Sequence, residues 1–249
     1  MTSEFATDSD ERTRVGVILL ACLGGFLLGD VIAILLVSTG ADVSHFRGGF
    51  AALSRSSAPP WWSNALSLVG LWCGFGAAIY VAHARGHLRA PPQQWRLRAS
   101  DVVFVALGVA CQVLVDLAYR PFHFRHLNTP VRHLFGSAHG ATFLLLAVLT
   151  TLGAPFMEEW LFRGVLYRAL EEGFRSWSVR GATLSAVLVS AVLFGLAHGE
   201  PLQLPGLIFL GVVAALLFQR TGRLMPSIIT HVSFNGVAMV ALLAQRSTH

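Results

Sequence analysis

Three short segments carry side chains that could do chemistry together. The first is Pro155-Phe156-Met157-Glu158-Glu159-Trp160-Leu161-Phe162-Arg163, where two adjacent carboxylates follow directly on a long apolar run. Neighbouring residues on a helix point about 100° apart, so the two glutamates face different directions. Glu159 and Arg163 are i and i+4 and share a face. That pairs them as ions and leaves Glu158 without a partner in its own helix, free to act as a general base. The second segment is Phe194-Gly195-Leu196-Ala197-His198, and the third is His231-Val232-Ser233-Phe234-Asn235. His231 and Asn235 are again i and i+4, so one helix face offers an imidazole beside an amide. A carboxylate, two imidazoles and an amide are what a site needs to polarise a water and to hold an oxyanion.

Each signal also has a plain structural reading. His198 alone could be a packing residue bonded to a neighbouring helix, and His231 with Asn235 an interhelical hydrogen-bond pair. Glu158-Glu159 could open a cytosolic helix, where acids suit the dipole. An ionisable group at the centre of a membrane helix costs about 2.5–3.5 kcal/mol on insertion scales and is functional by default. The three segments in this order on apolar helices favour the hydrolytic reading.

The elements that position them follow from composition. Of 249 residues, 54% are hydrophobic and only 12% are charged, half the usual share of about 25%. Too few charges remain to cover a soluble surface, so the chain reads as one polytopic membrane domain. All 18 basic residues are arginine, and they lie mainly between the apolar runs. A nucleic-acid reader would gather them on one face, so nucleic acid is excluded as a partner. The three cysteines, Cys22, Cys73 and Cys111, sit in apolar runs without a CxxC pair, which reads as small buried hydrophobes.

Seven stretches approach the roughly 20 apolar residues of a membrane span: 15–37, 64–83, 101–119, 138–157, 181–198, 203–219 and 224–244. They are too long and too continuously apolar for barrel strands. The fold class is therefore all-α, a polytopic membrane helix bundle of about seven to eight transmembrane helices. Residues 1–14 read as a polar cytoplasmic tail, and 15–249 as a single membrane domain with its catalytic core at 138–244. The run 15–37 is too long for a signal-peptide core and reads as a retained span. Trp61-Trp62 would anchor the second span at the interface. Residues 158–180 look like a helix that continues past the membrane. With the N-terminus inside, 11 loop arginines fall inside and 6 outside, which predicts an integral protein of the plasma membrane with a cytoplasmic N-terminus.

The ordered set EExxxR, FxxxH and HxxxN resembles the CPBP family, the CAAX-protease and bacteriocin-processing (abortive-infection) group of intramembrane proteases. The match lies on Glu158, Glu159 and Arg163, on Phe194 and His198, and on His231 and Asn235, within roughly residues 140–244. The resemblance implies an intramembrane endopeptidase acting on a membrane-associated or prenylated (CAAX-type) protein or peptide, with membrane lipid around it. It implies Glu158 and His198 as water activators, and His231 and Asn235 as stabilising the oxyanion or positioning the water. Another reading of the family makes such residues metal ligands. There is no HExxH, so a zincin site is excluded. Glu158, His198 and His231 could hold a divalent metal such as zinc, but asparagine is a poor zinc ligand, and a metal-free glutamate mechanism is expected.

If 138–157 and 181–198 were straight full spans, Glu158 and His198 would lie near opposite membrane faces. They can meet only if a helix is offset, broken or extended, and Gly153-Ala154-Pro155 and Gly199-Glu200-Pro201 are the expected breaks. Asp30 and Asp116 are further ionisable residues inside spans, and Asp30 is expected to contact another helix or Arg163. His123, His126 and His133 read as a solvated loop. Two other functions compete. A small transporter or channel would show paired halves with matching broken helices, which the sequence lacks; a non-catalytic scaffold or immunity protein would keep the fold alone.

Overall fold

The computed structural model describes residues 2–85, 88, 92–124, 127, 129–175 and 179–247, with the side chains of 2–12, 92, 246 and 247 left undescribed. Arg89, Arg125 and His126 lie outside the described residues, as do the side chains of Arg12 and Arg246. Among the described residues there are helices and turns and no strand. Seven helices are long and apolar enough to cross a membrane. We number them α1 (Thr2–Val43), α2 (Trp61–Ala84), α3 (Ala99–Phe122, with a 3-10 turn at each end), α4 (Gly140–Gly173), α5 (Val179–Ala197), α6 (Leu204–Thr221) and α7 (Leu224–Ser247). Helices satisfy their own backbone, as lipid requires. Residues 2–14 form the opening turns of α1.

Close packing of α1 on α2 rests on glycine. Gly25 and Gly29 on α1 lie against Gly74 on α2, and Gly70, one turn earlier on α2, lies against Ala33. A Cβ at Gly70 would fall on the Ala33 backbone, and one at Gly74 on the Gly25 carbonyl. Apolar burial drives little helix association in lipid, so such small-residue seams supply it through dispersion. Trp61 and Trp62 open α2 half-buried: Trp61 packs against the Phe135 cluster and Trp62 lies against Gly40. They are packing residues as much as interfacial ones. Cys22 and Cys111 are buried, whereas Cys73 is exposed on α2.

A buried ion pair fixes the other end of the bundle. Arg223, in the turn between α6 and α7, donates to both carboxylate oxygens of Asp101 at 2.7 Å and to the Arg96 carbonyl at 3.0 Å. The two-pronged geometry ties the start of α3 to the start of α7. Gly222 makes the turn with φ +62°, a conformation that suits glycine.

Helix α4 corrects the expectation of a break at Gly153-Ala154-Pro155. The rod continues, running α over Gly140–Val148, π over Leu149–Gly153, α over Ala154–Glu159, π over Trp160–Tyr167 and α over Arg168–Gly173. The wide π turn absorbs Pro155, which has no N–H to give. The Ala154 N–H reaches back five residues to the Leu149 carbonyl. In that register the Thr150 carbonyl would await the missing N–H of Pro155. The break expected at Gly199 is present: α5 ends at Ala197, and Gly199 has φ +66°.

The continuous rod also brings Glu158 and His198 level. Glu158 lies 15 residues before the end of α4 and His198 lies 19 residues after the start of α5. At 1.5 Å per residue these are about 22 and 28 Å from the connection joining the two helices. The apolar run 138–157 was therefore only the first part of its helix, and the glutamates sit near its middle.

Candidate active site

Helices α4, α5, α6 and α7 meet around a buried polar cluster. Glu159 and Arg163 are wholly buried and bonded at 2.9 Å. A second Arg163 nitrogen donates to the Gly211 carbonyl of α6 at 3.1 Å. The guanidinium carbon also lies 4.5 Å from the centre of the Phe194 ring, a cation–π contact in a dry setting. Arg163 is thus engaged by Glu159, Gly211 and Phe194, and Asp30 lies exposed on α1.

The two histidines are oriented by acceptors that cannot donate. His198 Nδ1 is 2.8 Å from the Phe194 carbonyl, and His231 Nδ1 is 2.9 Å from Glu159 Oε1. Each Nδ1 therefore carries the hydrogen and donates it, which in the neutral ring leaves the lone pair on Nε2. Both Nε2 atoms stand 3.8 Å from the same atom, Glu158 Oε2. That oxygen is buried and has no hydrogen-bond partner. Three acceptors converge with no hydrogen between them, and only a species with positive hydrogens or positive charge satisfies such a point. Phe194 braces it from behind, its ring 4.8 Å from His198 and 5.5 Å from His231, edge to face.

Asn235 lies one turn beyond His231, and its side-chain amide donates to the Thr150 carbonyl at 3.2 Å. This is the carbonyl that Pro155 cannot serve. Asn235 therefore holds the π turn of α4 in place while still lining the cavity with Glu158 and His231.

The cavity in front of the cluster has a volume of about 300 Å³. Its walls come from α3, α4, α6 and α7 and from the short helix Thr129–Phe135, through Val131, Leu134 and Phe135. That short helix and the turn after it are tied to α2 and the connection before it: Asn64 donates to the Leu134 carbonyl at 2.7 Å and Ser137 to the Pro59 carbonyl at 2.6 Å. His123 and His133 are exposed, and His133 donates to the Ser56 carbonyl at 2.7 Å.

The structure thus places Glu158, His198, His231 and Asn235 around one cavity, with Glu159 and Arg163 behind them. Sequence reasoning missed three connections: Glu159 serves His231 as well as Arg163, Asn235 serves Thr150, and Gly211 and Phe194 hold Arg163. The i+4 spacing of Phe194 and His198 carried part of that signal, since it puts the ring beside the imidazole.

A metal can be tested against the same geometry. The donor types suit zinc, and each histidine has the partner on its other nitrogen that metal-bound histidines have. The spacing does not suit it. Tetrahedral zinc with bonds of about 2.0–2.1 Å sets its ligands roughly 3.4 Å apart, against 3.8 Å here. No group of three His, Cys, Asp or Glu among the described residues has a metal-holding arrangement. The set does not fit a closed zinc shell.

Residues 140–237 match the family model described as type II CAAX prenyl endopeptidase Rce1-like. The chain is 27% identical over 99 residues, 40% of its length, to "Putative membrane peptidase YdiL" of Bacillus subtilis (strain 168), covering 38% of that protein. It is 31% identical over 86 residues, 34% of its length, to "Membrane-embedded CAAX protease MroQ" of Staphylococcus aureus (strain USA300), covering 34% of that protein. The chain thus spans little more than a third of the length of these curated relatives. No solved structure matches it at a significant level. The matched region is the one that builds the polar cluster, from the start of α4 to two residues past Asn235, and it is over this region that the chain is similar to the type II CAAX prenyl endopeptidase family and to these membrane peptidases.

Proposed function

We propose that the protein is an intramembrane endopeptidase that hydrolyses a peptide bond with a water activated by Glu158 and the two histidines. The observation that carries this reading is the convergence of Glu158 Oε2 and both Nε2 atoms on one point at the edge of a cavity. A water there donates to Glu158 and to an imidazole. Glu158 takes its proton as the water oxygen attacks the carbonyl carbon. The oxyanion that forms needs positive hydrogens, which the Asn235 amide supplies, while the Nε2 lone pair of His231 positions the water. The proton held by Glu158 then passes to the departing amine as the C–N bond breaks, and one water has been consumed per bond. Glu159 and Arg163 act through His231 and are positioning residues. The substrate class we propose is a membrane-associated or prenylated (CAAX-type) protein or peptide. The test is purified protein in detergent, wild type beside Glu158→Ala, against a panel of membrane peptides. Cleavage by the wild type alone supports the reading, and cleavage by neither or by both rejects it.

No step above passes through a metal. Exhaustive chelation is accordingly expected to leave turnover within about twofold of the untreated protein, since the ligand spacing is too wide for a zinc shell. Loss of turnover restored by stoichiometric zinc would overturn this.

We further propose that the N-terminus faces the cytoplasm of the cell membrane, which the arginine distribution supports. Reporter fusions at residues 50, 92 and 175 should read outside, inside and inside. An extracytoplasmic reading at 92 or 175 rejects the orientation.

A further inference from the structure

Asp116 is the one carboxylate of the cavity, among the described residues, that the proposed chemistry leaves unused. It lies on α3, a helix that contributes nothing to the Glu158 cluster, and it lines the same cavity as Glu158, His198 and His231. It also lines an adjoining cavity of about 240 Å³, so it stands where the two chambers meet. Gln112, one turn earlier and buried, donates its side-chain amide to Asp116 Oδ1 at 2.8 Å. Among the described residues Gln112 is its only polar partner, and no cation reaches it. Arg132, which also lines the adjoining chamber, donates to Gln245 at 3.4 Å.

A carboxylate within a membrane helix is costly when nothing compensates it. Gln112 donates to Oδ1 and leaves Oδ2 without a hydrogen-bond partner among the described residues. The surrounding wall is largely apolar, with Val115, Leu207, Phe234 and Met239 close by. Asp116 itself is exposed, so an incoming cation can reach its carboxylate. The rest of the site strengthens the bias. Glu158 and Glu159 outnumber Arg163, so the cavity repels an anion and attracts a cation twice over.

We propose that Asp116, braced by Gln112, determines substrate specificity by receiving the cationic side chain of a lysine or arginine in an otherwise apolar peptide. This rests on the peptidase reading and names its substrate class more closely. Gln112 is a positioning residue: it fixes the carboxylate rotamer and leaves the second oxygen for the incoming cation.

The test separates recognition from cleavage. The Glu158→Gln protein in detergent is titrated with fluorescently labelled apolar peptides in which one lysine is moved position by position, each beside its norleucine counterpart. At one or two positions lysine should bind at least about tenfold tighter than norleucine, a difference of roughly 1.4 kcal/mol. Asp116→Asn in the same background should erase that difference while leaving norleucine binding within about twofold. Asp116→Arg should turn the preference at that position towards glutamate. The proposal is overturned if no position discriminates, or if discrimination survives in Asp116→Asn. Wild-type cleavage of the same peptides is measured in parallel. Lysine-dependent binding without any cleavage would defeat the peptidase reading and leave the binding site standing.

Discussion

Glu158→Gln is expected to lower peptide turnover by about 10²–10⁴-fold, the range a positioned general base contributes, while the protein melts within a few degrees of wild type. Both halves follow from the geometry. Glu158 Oε2 has no hydrogen-bond partner to lose. The histidines are held by the Phe194 carbonyl and by Glu159 rather than by Glu158, so they stay in place without its charge. Glutamine has the same shape, and its amide can donate to an imidazole lone pair. It cannot take a proton from water. Detergent-state melting and cleavage of one defined peptide decide it. Retained turnover would remove Glu158 as the base, and unfolding would show that its charge supports the fold.

Much of this architecture was legible in the residues, for a physical reason in each case. Lipid leaves the backbone only helices or closed barrels, and runs this long and continuously apolar could be read only as helices. The i+4 spacings of Glu159 with Arg163 and of His231 with Asn235 fixed which side chains share a face. What was not legible depends on how helices lie against one another. Pro155 looked like a break because proline removes an N–H and clashes in an α-helix. A π turn and an amide from a helix 80 residues later remove both difficulties. No local pattern encodes that partner. The same holds for Glu159. Its spacing to Arg163 accounted for one bond, and the bond to His231 exists only because α7 packs on α4. Asp101 with Arg223 lies 122 positions apart in sequence, so its pairing could be read only from the fold. Asp116 was visible as an ionisable residue in a span, but its place at the junction of two chambers was not.

The Glu159–Arg163 pair gives the other large effect, and the structure makes it asymmetric. Both side chains are wholly buried. Removing one partner of a buried pair costs about 3–5 kcal/mol because a lone charge remains. Arg163→Met leaves Glu159 still receiving the Nδ1 hydrogen of His231. Glu159→Leu does more damage, since it strips Arg163 of its counter-charge and His231 of its acceptor. The guanidinium is left with the Gly211 carbonyl and the Phe194 and Phe162 rings. Glu159→Leu should therefore lower the melting temperature more than Arg163→Met. The double variant Glu159→Leu/Arg163→Met leaves no lone charge and roughly keeps the volume, so it should recover most of the lost stability. It should not recover turnover, because His231 no longer has the acceptor that places its hydrogen on Nδ1. Glu159→Gln supplies the control: its amide oxygen can still accept from His231, so it should retain more turnover than Glu159→Leu at equal loss of charge. Melting curves and cleavage rates for the four variants check each step. A double variant no more stable than Glu159→Leu would show that the pair is not coupled. A double variant with wild-type turnover would show that Glu159 has no part in holding His231.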